Sequence, residues 1–335
     1  MKARKFLQKH KKLNYFQRCF RRRKDDKFIE EVLSIGYDPL RLNVVQLGDE
    51  NQGKMVYIAK TMGCDGFFAE LRFLLHELYF ADKLGLVPVL TMSKKSSYAE
   101  KEPINGTKNP FEYYFLQPAV SLESAKKSFA VVEHNWRQRD FIKTSLGFKS
   151  EYAPTDEYFD VISNLINKYI KFNEETEVKV CDVAKELLGE GKTLGIHVRG
   201  ADFKRHYDNH PNIVSIEEYA NSVEETLKEN SFDKIFLATD DSDALATFKA
   251  KFGDKLVFYK DVIRTDGDET VMKSNVDRPL HHYNLGIEVI RDAYTLSICD
   301  GLIAGLSNVS IFSRLLKQSK GEKYDYLKIL DKGIK

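Results

Sequence analysis

Three short polar segments of this chain carry side chains that could bind an anion. Each segment directly follows an apolar run that is typical of a buried strand. Ligands of open parallel sheets bind at the carboxyl ends of the strands, so these segments mark the candidate site. They are residues 197–202 (HVRGAD), 239–243 (TDDSD) and 305–310 (GLSNVS).

The first segment predicts a phosphate-binding arginine. His197 and Arg199 alternate with Val198 and therefore share one face at the end of their strand. An arginine at such a position needs an anionic partner, and a guanidinium donates a planar fork of hydrogen bonds that fits phosphate oxygens. The alternative is an internal salt bridge from Arg199 to Asp202 or Asp240.

The third segment stands where a strand is expected to turn into a helix. Hydroxyl groups of Ser307 and Ser310, the Asn308 side chain and the backbone N–H groups of a first helical turn could hold a phosphate together. Ordinary helix capping explains the same residue types, because Ser and Asn are favoured N-caps.

The second segment contains the spacing D-x-D at 241–243, which could hold a divalent cation against a diphosphate. It also lies at a predicted helix start, where carboxylates accept hydrogen bonds from N–H groups and complement the helix dipole. We therefore favour capping, or contacts from Asp240 and Asp241 to a base and ribose, over a metal site.

The elements that position these segments alternate between strand and helix. Such alternation predicts parallel sheets flanked by helices. In the second half we predict strands at 193–198, 234–239, 256–259 and 301–306, and helices at 216–230, 243–252, 287–298 and 307–317. In the first half, apolar runs at 43–47 and 55–59 separated by a turn, and others at 86–91 and 129–133, predict strands, and helical spacing predicts helices at 66–81 and from about 155.

We divide the chain into a basic N-terminal segment (1–40), an α/β domain at 41–185 and a second α/β domain at 186–335, with the two Rossmann-like domains facing a cleft. The irregular segment 92–118 is expected to contact substrate, since long loops in compact domains are usually functional.

The composition limits the classes of partner that the protein could bind. The chain has 335 residues and a formal charge of +2, and this overall charge balance does not favour nucleic acid as a partner. The basic N-terminal segment is interpreted either as a peripheral membrane contact or as a solvated tail. No apolar run approaches the roughly 20 residues of a membrane span, and the four dispersed cysteines suit neither a zinc site nor a disulfide framework. We expect a cytoplasmic protein, with contact to the inner face of a membrane left open.

The three segments, in this order and spacing, resemble the donor-binding half of the fucosyltransferase superfamily, which includes core α1,6-, rhizobial chitooligosaccharide and protein O-fucosyltransferases. The H-x-R-x-x-D block at 197–202 is the most specific. The segment 236–241 (FLATDD) and Asp292 with the following Leu296, Ser297 and Asp300 extend the resemblance over about residues 190–317. Residues 63–71 (GCDGFFAEL) resemble the family's glycine-containing acceptor loop more weakly.

This resemblance implies a GT-B-type glycosyltransferase that moves fucose from GDP-fucose with inversion and without a metal or other cofactor. Arg199 would bind the β-phosphate with help from Ser307, Asn308 or Ser310, and His197 and Asp292 would contact the guanine nucleotide. A preorganised arginine and helix-terminal donors can stabilise the charge of a departing diphosphate. The alternative for Asp292 is a surface carboxylate.

The acceptor side is less defined. A general base is expected among His206, Asp208 and His210, and we choose Asp208, because Phe203 and Tyr207 stand where core-type relatives carry Lys and Glu. His281 and His282, in a predicted loop, are weaker candidates. The acceptor would be a glycan, a lipid-linked saccharide or a peptide. Two alternatives are a transferase for another deoxysugar nucleotide and a catalytically silent nucleotide-sugar-binding protein.

Overall fold

The first half of the chain builds a four-stranded sheet with the order β1-β4-β2-β3. The computed structural model describes residues 42–63, 66–135, 138–148, 150–199, 210–265, 271 and 277–334, together with 13, 17 and 20–26. Strand β2 is parallel to β3 and β4, whereas β1 pairs with β4 in the antiparallel direction. The strands are β1 (Val44–Val45), β2 (Glu50–Lys60), β3 (Val87–Thr91) and β4 (Ser128–Val132).

The predicted turn between the first two apolar runs is wrong in part. Strand β2 already begins at Glu50, and its register with β4 shifts between Glu50 and Met55. Asn51 and Gly53 adopt positive φ angles of 52° and 75°, which Asn and Gly tolerate best, so the backbone absorbs an irregularity without leaving the sheet.

Helix α1 (Phe67–Lys83) covers the first sheet because its apolar side chains recur every three to four residues. Leu71, Leu74, Leu75 and Leu78 are at most 3% exposed. The remaining helices of this half are α2 (Leu122–Ala125), α3 (Phe141–Leu146), α4 (Asp156–Tyr169), α5 (Glu174–Thr176) and α6 (Val183–Leu188), with a π-helical segment at Glu177–Asp182 between the last two.

The second half forms a fully parallel five-stranded sheet with the order β7-β6-β5-β8-β9. The α/β class predicted from the alternation is confirmed, and β9 is an addition that we did not predict. Its strands are β5 (Thr193–His197), β6 (Lys234–Ala238), β7 (Leu256–Val257), β8 (Gly301–Gly305) and β9 (Tyr326–Leu330); its helices are α7 (Ile216–Glu229), α8 (Ser242–Phe252), α9 (His281–Ile298) and α10 (Asn308–Ser319).

Short 3-10 turns at Pro110–Tyr113, Gln138–Asp140 and Gly253–Lys255 complete the described elements. Among the helices that the structure describes, none combines the length and the apolar character needed to cross a membrane.

Helices α9 and α10 join the two halves through a shared hydrophobic core. The rings of Phe68 on α1 and Phe312 on α10 stack with centroids 4.6 Å apart, and those of Tyr114 and Tyr283 stack at 5.5 Å. The Tyr114 hydroxyl donates a hydrogen bond of 3.0 Å to the Tyr283 carbonyl. The two halves of the chain, which form the walls of the cavity between them, are therefore in direct contact beside that cavity.

Gly286 on α9 makes this approach possible. A Cβ atom there would lie 2.1 Å from the Tyr114 hydroxyl oxygen and 2.3 Å from its Cζ. Alanine normally stabilises a helix interior by about 1 kcal/mol over glycine. We expect Gly286→Ala to destabilise instead, by about 1–3 kcal/mol, because a buried ring must move.

The measurement is the free energy of unfolding in denaturant. Gly66→Ala is the control, because a Cβ at Gly66 meets nothing within 4 Å. Equal or greater stability of Gly286→Ala would contradict the close packing of the two halves.

Candidate functional site

The three polar segments predicted from the sequence meet at one edge of the second sheet. Strand β5 lies between β6 and β8, and His197 is paired in register with both Ala238 and Ala304. A cavity of about 630 Å³ opens at this edge, between the two halves of the chain. The predicted cleft is thus confirmed. Its lining includes His197, Arg199, Asp240, Asp292, Asn308 and Val309 from the second half and Phe67, Phe68, Arg72, Tyr98 and Glu151 from the first.

His197 forms the floor of the cavity as a neutral imidazole. It is only 7% exposed, and its Nδ1 lies 3.2 Å from the Ser307 hydroxyl. Burial, with a smaller contribution from the positive charge of Arg199, lowers the pKa of His197 to about 3. At neutral pH the imidazole is therefore a hydrogen-bonding group, and the positive charge at this strand end belongs to Arg199.

Ser307 and Ser310 form a buried capping box at the start of α10. The Ser307 hydroxyl accepts from the Ser310 N–H at 3.0 Å, and the Ser310 hydroxyl donates to the Gly305 carbonyl at 2.8 Å. Their side chains are at most 2% exposed. The hydroxyls thus serve the helix, while the first residues of α10, Asn308 and Val309, line the cavity, where first-turn N–H groups have no partner within a helix.

The first two of the three aspartates in the second segment lie in different places. The Asp241 carboxylate is 3% exposed and accepts hydrogen bonds from the N–H groups of Asp243 (2.8 Å) and Ala244 (3.2 Å), so it caps α8. Asp240 lines the cavity, and its carbonyl accepts from the Thr265 N–H at 3.0 Å. Within the described residues, no group of three or more His, Cys, Asp or Glu side chains is placed to hold a metal ion.

Asp292 extends from α9 into the cavity and is half-buried. No hydrogen bond or ion pair joins its carboxyl group to another residue of the described part of the chain. Burial raises the pKa of Asp292 to about 7, against the opposing charges of Arg291 and Arg264. Arg291 is occupied elsewhere, because its Nη2 pairs with Asp261 at 2.7 Å. A titrating carboxyl group therefore faces the cavity with its oxygens available to a ligand.

The acceptor-side candidates are placed only in part. The base candidates His206 and Asp208 lie outside the described residues, as does Asp202 of the donor-binding set, so the assignment of the base stays a prediction. His210 lines the cavity, with its ring 5.8 Å from that of Tyr152.

His281 and His282 lie in the first turn of α9, and not in the loop we predicted. Both are hydrogen-bonded: Nδ1 of His281 accepts from Arg278 Nε at 3.1 Å, and Nδ1 of His282 lies 2.8 Å from the Ser97 carbonyl. Neither is among the residues that line the cavity.

The sequence did not point to Arg72 and Glu151, which line the first half's side of the cavity. Arg72 lies on α1 and is 4% exposed, and Glu70, His76 and Glu77 of the same helix are also buried. Its Nη1 donates to the Asn308 side-chain oxygen and its Nη2 forms an ion pair with Glu151. A charged residue on the buried face of a helix was the available signal.

The chain is similar in structure to solved fucosyltransferases. A NodZ alpha-1,6-fucosyltransferase soaked with GDP-fucose is 16% identical, with 78% of this chain and 92% of that chain covered and a TM-score of 0.49. The fucosyltransferase NodZ from Bradyrhizobium is 16% identical, with 79% of this chain and 92% of that chain covered and a TM-score of 0.49. POFUT1 in complex with GDP-fucose is 14% identical, with 87% of this chain and 100% of that chain covered and a TM-score of 0.49.

No protein-family model matches the chain, and no curated protein matches it in sequence.

The buried carboxyl group of Asp292 should make stability depend on pH. Its pKa in the folded chain, about 7, lies above the ordinary value of 3.8, so the folded state binds more protons between these values. Stability conferred by the protonated group is then complete below about pH 4 and is lost as the pH rises through 7.

We therefore expect Asp292→Asn to gain stability relative to the wild type between pH 5 and pH 8. The gain should be about 1–2 kcal/mol, less than the full shift implies, because the side chain is only half-buried. Denaturant unfolding at both pH values measures it. Asp254→Asn, at an exposed position, should follow the wild type, and parallel curves for all three proteins would contradict the assignment.

Proposed function

We propose that the chain is an inverting, metal-independent glycosyltransferase that moves fucose from GDP-fucose to a hydroxyl group of a glycan or glycoconjugate. The convergence of Arg199, the start of α10 and Asp292 on one cavity carries this proposal. A cation and helix N–H groups suit a diphosphate, and a carboxylate suits the N–H donors of a guanine. The motif resemblance over about residues 190–317 supports the choice of GDP-fucose.

In this reaction the bond between the fucose C1 and the β-phosphate oxygen breaks. The acceptor oxygen attacks C1 from the opposite face and gives its proton to the base, for which we retain Asp208. GDP leaves with additional negative charge on the β-phosphate. Arg199 and the first-turn N–H groups of Asn308 and Val309 would stabilise that charge, which is the electrostatic role that a metal plays in other enzymes.

The nucleotide half of the donor would lie between β5 and α9. The Asp292 carboxylate would accept hydrogen bonds from the guanine N1–H and 2-amino groups. His197, neutral at physiological pH, would contact the nucleotide through a hydrogen bond. Asp202 and Asp240 complete the proposed donor-binding set, whereas Asp241, which the sequence also suggested as a contact, caps α8, and Ser307 and Ser310 act through the geometry of α10.

The remaining assignments are proposals of the same kind. Residues 186–335 would bind the donor and residues 41–185 the acceptor, which is a glycan, a lipid-linked saccharide or a peptide. The basic segment 1–40 would either contact a membrane peripherally or remain a solvated tail, on a cytoplasmic protein without a nucleic-acid partner.

GDP release from GDP-fucose, measured with EDTA present, tests the proposed reaction. Arg199→Ala should lower the rate about 100-fold or more, because it removes a preorganised donor to the leaving group. Arg199→Lys should retain part of the rate, since it keeps the charge and loses the planar fork.

Other outcomes would favour the alternatives. Faster release from another deoxysugar nucleotide would change the donor. Tight GDP binding with no turnover on any acceptor would indicate a binding protein. Turnover that requires Mn²⁺ would contradict metal independence and point to Asp241 and Asp243.

Guanine recognition by Asp292 predicts a distinct pH dependence of GDP affinity. With a pKa of about 7, the carboxylate becomes available as the pH rises from 6 to 8. Over this range GDP should gain more affinity in the wild type than in Asp292→Asn, in which only the ionisation of the terminal phosphate of GDP remains. Loss of hydrogen bonds to a charged acceptor should weaken GDP binding at pH 8 by about 10–100-fold.

Calorimetric titration measures these affinities. Inosine diphosphate, which lacks the 2-amino group, is the matched ligand and should lose part of the wild-type affinity at pH 8. If Asp292→Asn leaves GDP affinity and its pH dependence unchanged, Asp292 does not contact the base.

A further inference from the structure

Arg72 reaches the start of α10 from the wall opposite Arg199. Its side chain is 4% exposed, lines the cavity and donates through Nη1 to the side-chain oxygen of Asn308, the first residue of α10. Its Nε–H is buried and has no hydrogen-bond acceptor in the described structure. A buried guanidinium with an unused donor is costly unless it serves an anion.

Arg199 lines the same cavity as the start of α10. Ser307, the N-cap of α10, contacts His197, and the charge of Arg199 is close enough to depress the pKa of that histidine. Two arginines from different halves of the chain thus line one cavity together with the first residues of α10. Such an array suits an anion with more than one negative charge.

Glu151 is the anion that contacts Arg72 within the chain. Its side chain is 27% exposed, lines the cavity and pairs with Nη2 of Arg72 and, at 3.0 Å, with Lys143. Burial opposes its ionisation, but the charges of Arg72 and Lys143 outweigh it and lower the pKa of Glu151. A carboxylate and a phosphate engage a guanidinium in the same forked geometry.

We propose that Arg72 is a second cation for the donor diphosphate, supplied by the acceptor-side half, and that Glu151 competes with the diphosphate for it. The inference rests on the proposed nucleotide-diphosphate site. In the donor complex the guanidinium fork turns from Glu151 to the β-phosphate, and Lys143 remains as the partner of Glu151. Arg72 thereby couples donor binding to the acceptor-side wall.

A purely structural Arg72 predicts something different. If its contacts with Glu151 and Asn308 only hold the two walls together, removing the charge of Arg72 or that of Glu151 weakens the same structural contact between the walls. Arg72→Gln and Glu151→Gln would then change GDP affinity in the same direction. Competition requires opposite directions, because one variant removes the phosphate ligand and the other removes its rival.

The experiment is a calorimetric titration of the full chain with GDP and with GMP. We expect Arg72→Gln to weaken GDP binding about 10–100-fold, as for loss of hydrogen bonds to a charged group. Glu151→Gln should tighten GDP binding by about 3–10-fold. Both effects should shrink for GMP, and the double variant should lose the gain of Glu151→Gln.

Arg139→Gln is the matched control. Its guanidinium lies 4.8 Å from the centre of the same Phe73 ring that Arg72 approaches, but it is not part of the cavity lining. It removes one positive charge nearby, on a side chain that is 27% exposed, and should leave GDP affinity within about twofold, as for a charge near the surface. Melting temperatures of all variants show that the chains are folded.

Two results would overturn the inference. Weaker GDP binding in both Arg72→Gln and Glu151→Gln would show that Arg72 has a purely structural role. Unchanged binding in Arg72→Gln would show that Arg72 does not contact GDP. In either case, loss of GDP binding in Arg199→Gln would leave the proposed function standing. Unchanged GDP affinity in Arg199→Gln would instead contradict the proposed function itself.

Discussion

The start of helix α10 is the point on which both walls of the cavity depend. The capping box consumes the hydroxyls of Ser307 and Ser310 in hydrogen bonds with the backbone and with each other. It fixes the direction of the helix, so that Asn308 and Val309 line the cavity. His197 contacts one end of this turn and Arg72 the other, through Ser307 and Asn308. A polar cap this well buried orients a neutral imidazole and a guanidinium that are far apart in the sequence.

The charges around the cavity explain why its carboxyl groups titrate unusually. Asp292 lies close enough to Glu288 and Asp240 for their charges to raise its pKa further, after burial, which is the main cause. The arginines nearest to it are committed to other partners: Arg291 to Asp261, and Arg264 to the carbonyls of Val262 and Tyr259. The site thus holds acids and bases that only partly neutralise each other, which is a common property of functional sites.

Much of the second sheet could be predicted from the sequence, because each of its central strands is an apolar run followed at once by polar residues. The first residues after β5, β6 and β8 could therefore be assigned to one edge from strand order alone. Strand β9 could not, since Tyr326–Leu330 is an edge strand with no fully buried residue and carries no strong periodic signal. The prediction of a turn before Met55 was wrong for a related reason, because Asn51 and Gly53 occur in an irregular strand as readily as in a turn.

The cavity wall that the first half of the chain contributes could not be identified from local sequence patterns. Arg72 and Asn308 are 236 positions apart and meet only because α1 packs against α10 through Phe68 and Phe312. An arginine among the apolar residues of a helix indicates that a charge is buried, but it does not identify the partner. The sequence could therefore locate one half of the candidate site, while the other half depends on how the two sheets are brought together.

This division bears on how charge would be stabilised under the proposed function. The carboxylate of Asp241 already accepts two helix N–H groups, so the D-x-D spacing has one of its two acids committed to capping α8. Positive charge for a leaving diphosphate would then come from side chains and helix N–H groups that are in place before the bond to the sugar breaks. Preorganised groups of this kind need no rearrangement as charge develops, which is the condition under which electrostatic stabilisation is most effective. The close packing of α9 and α10 on the first half is what holds those groups in place.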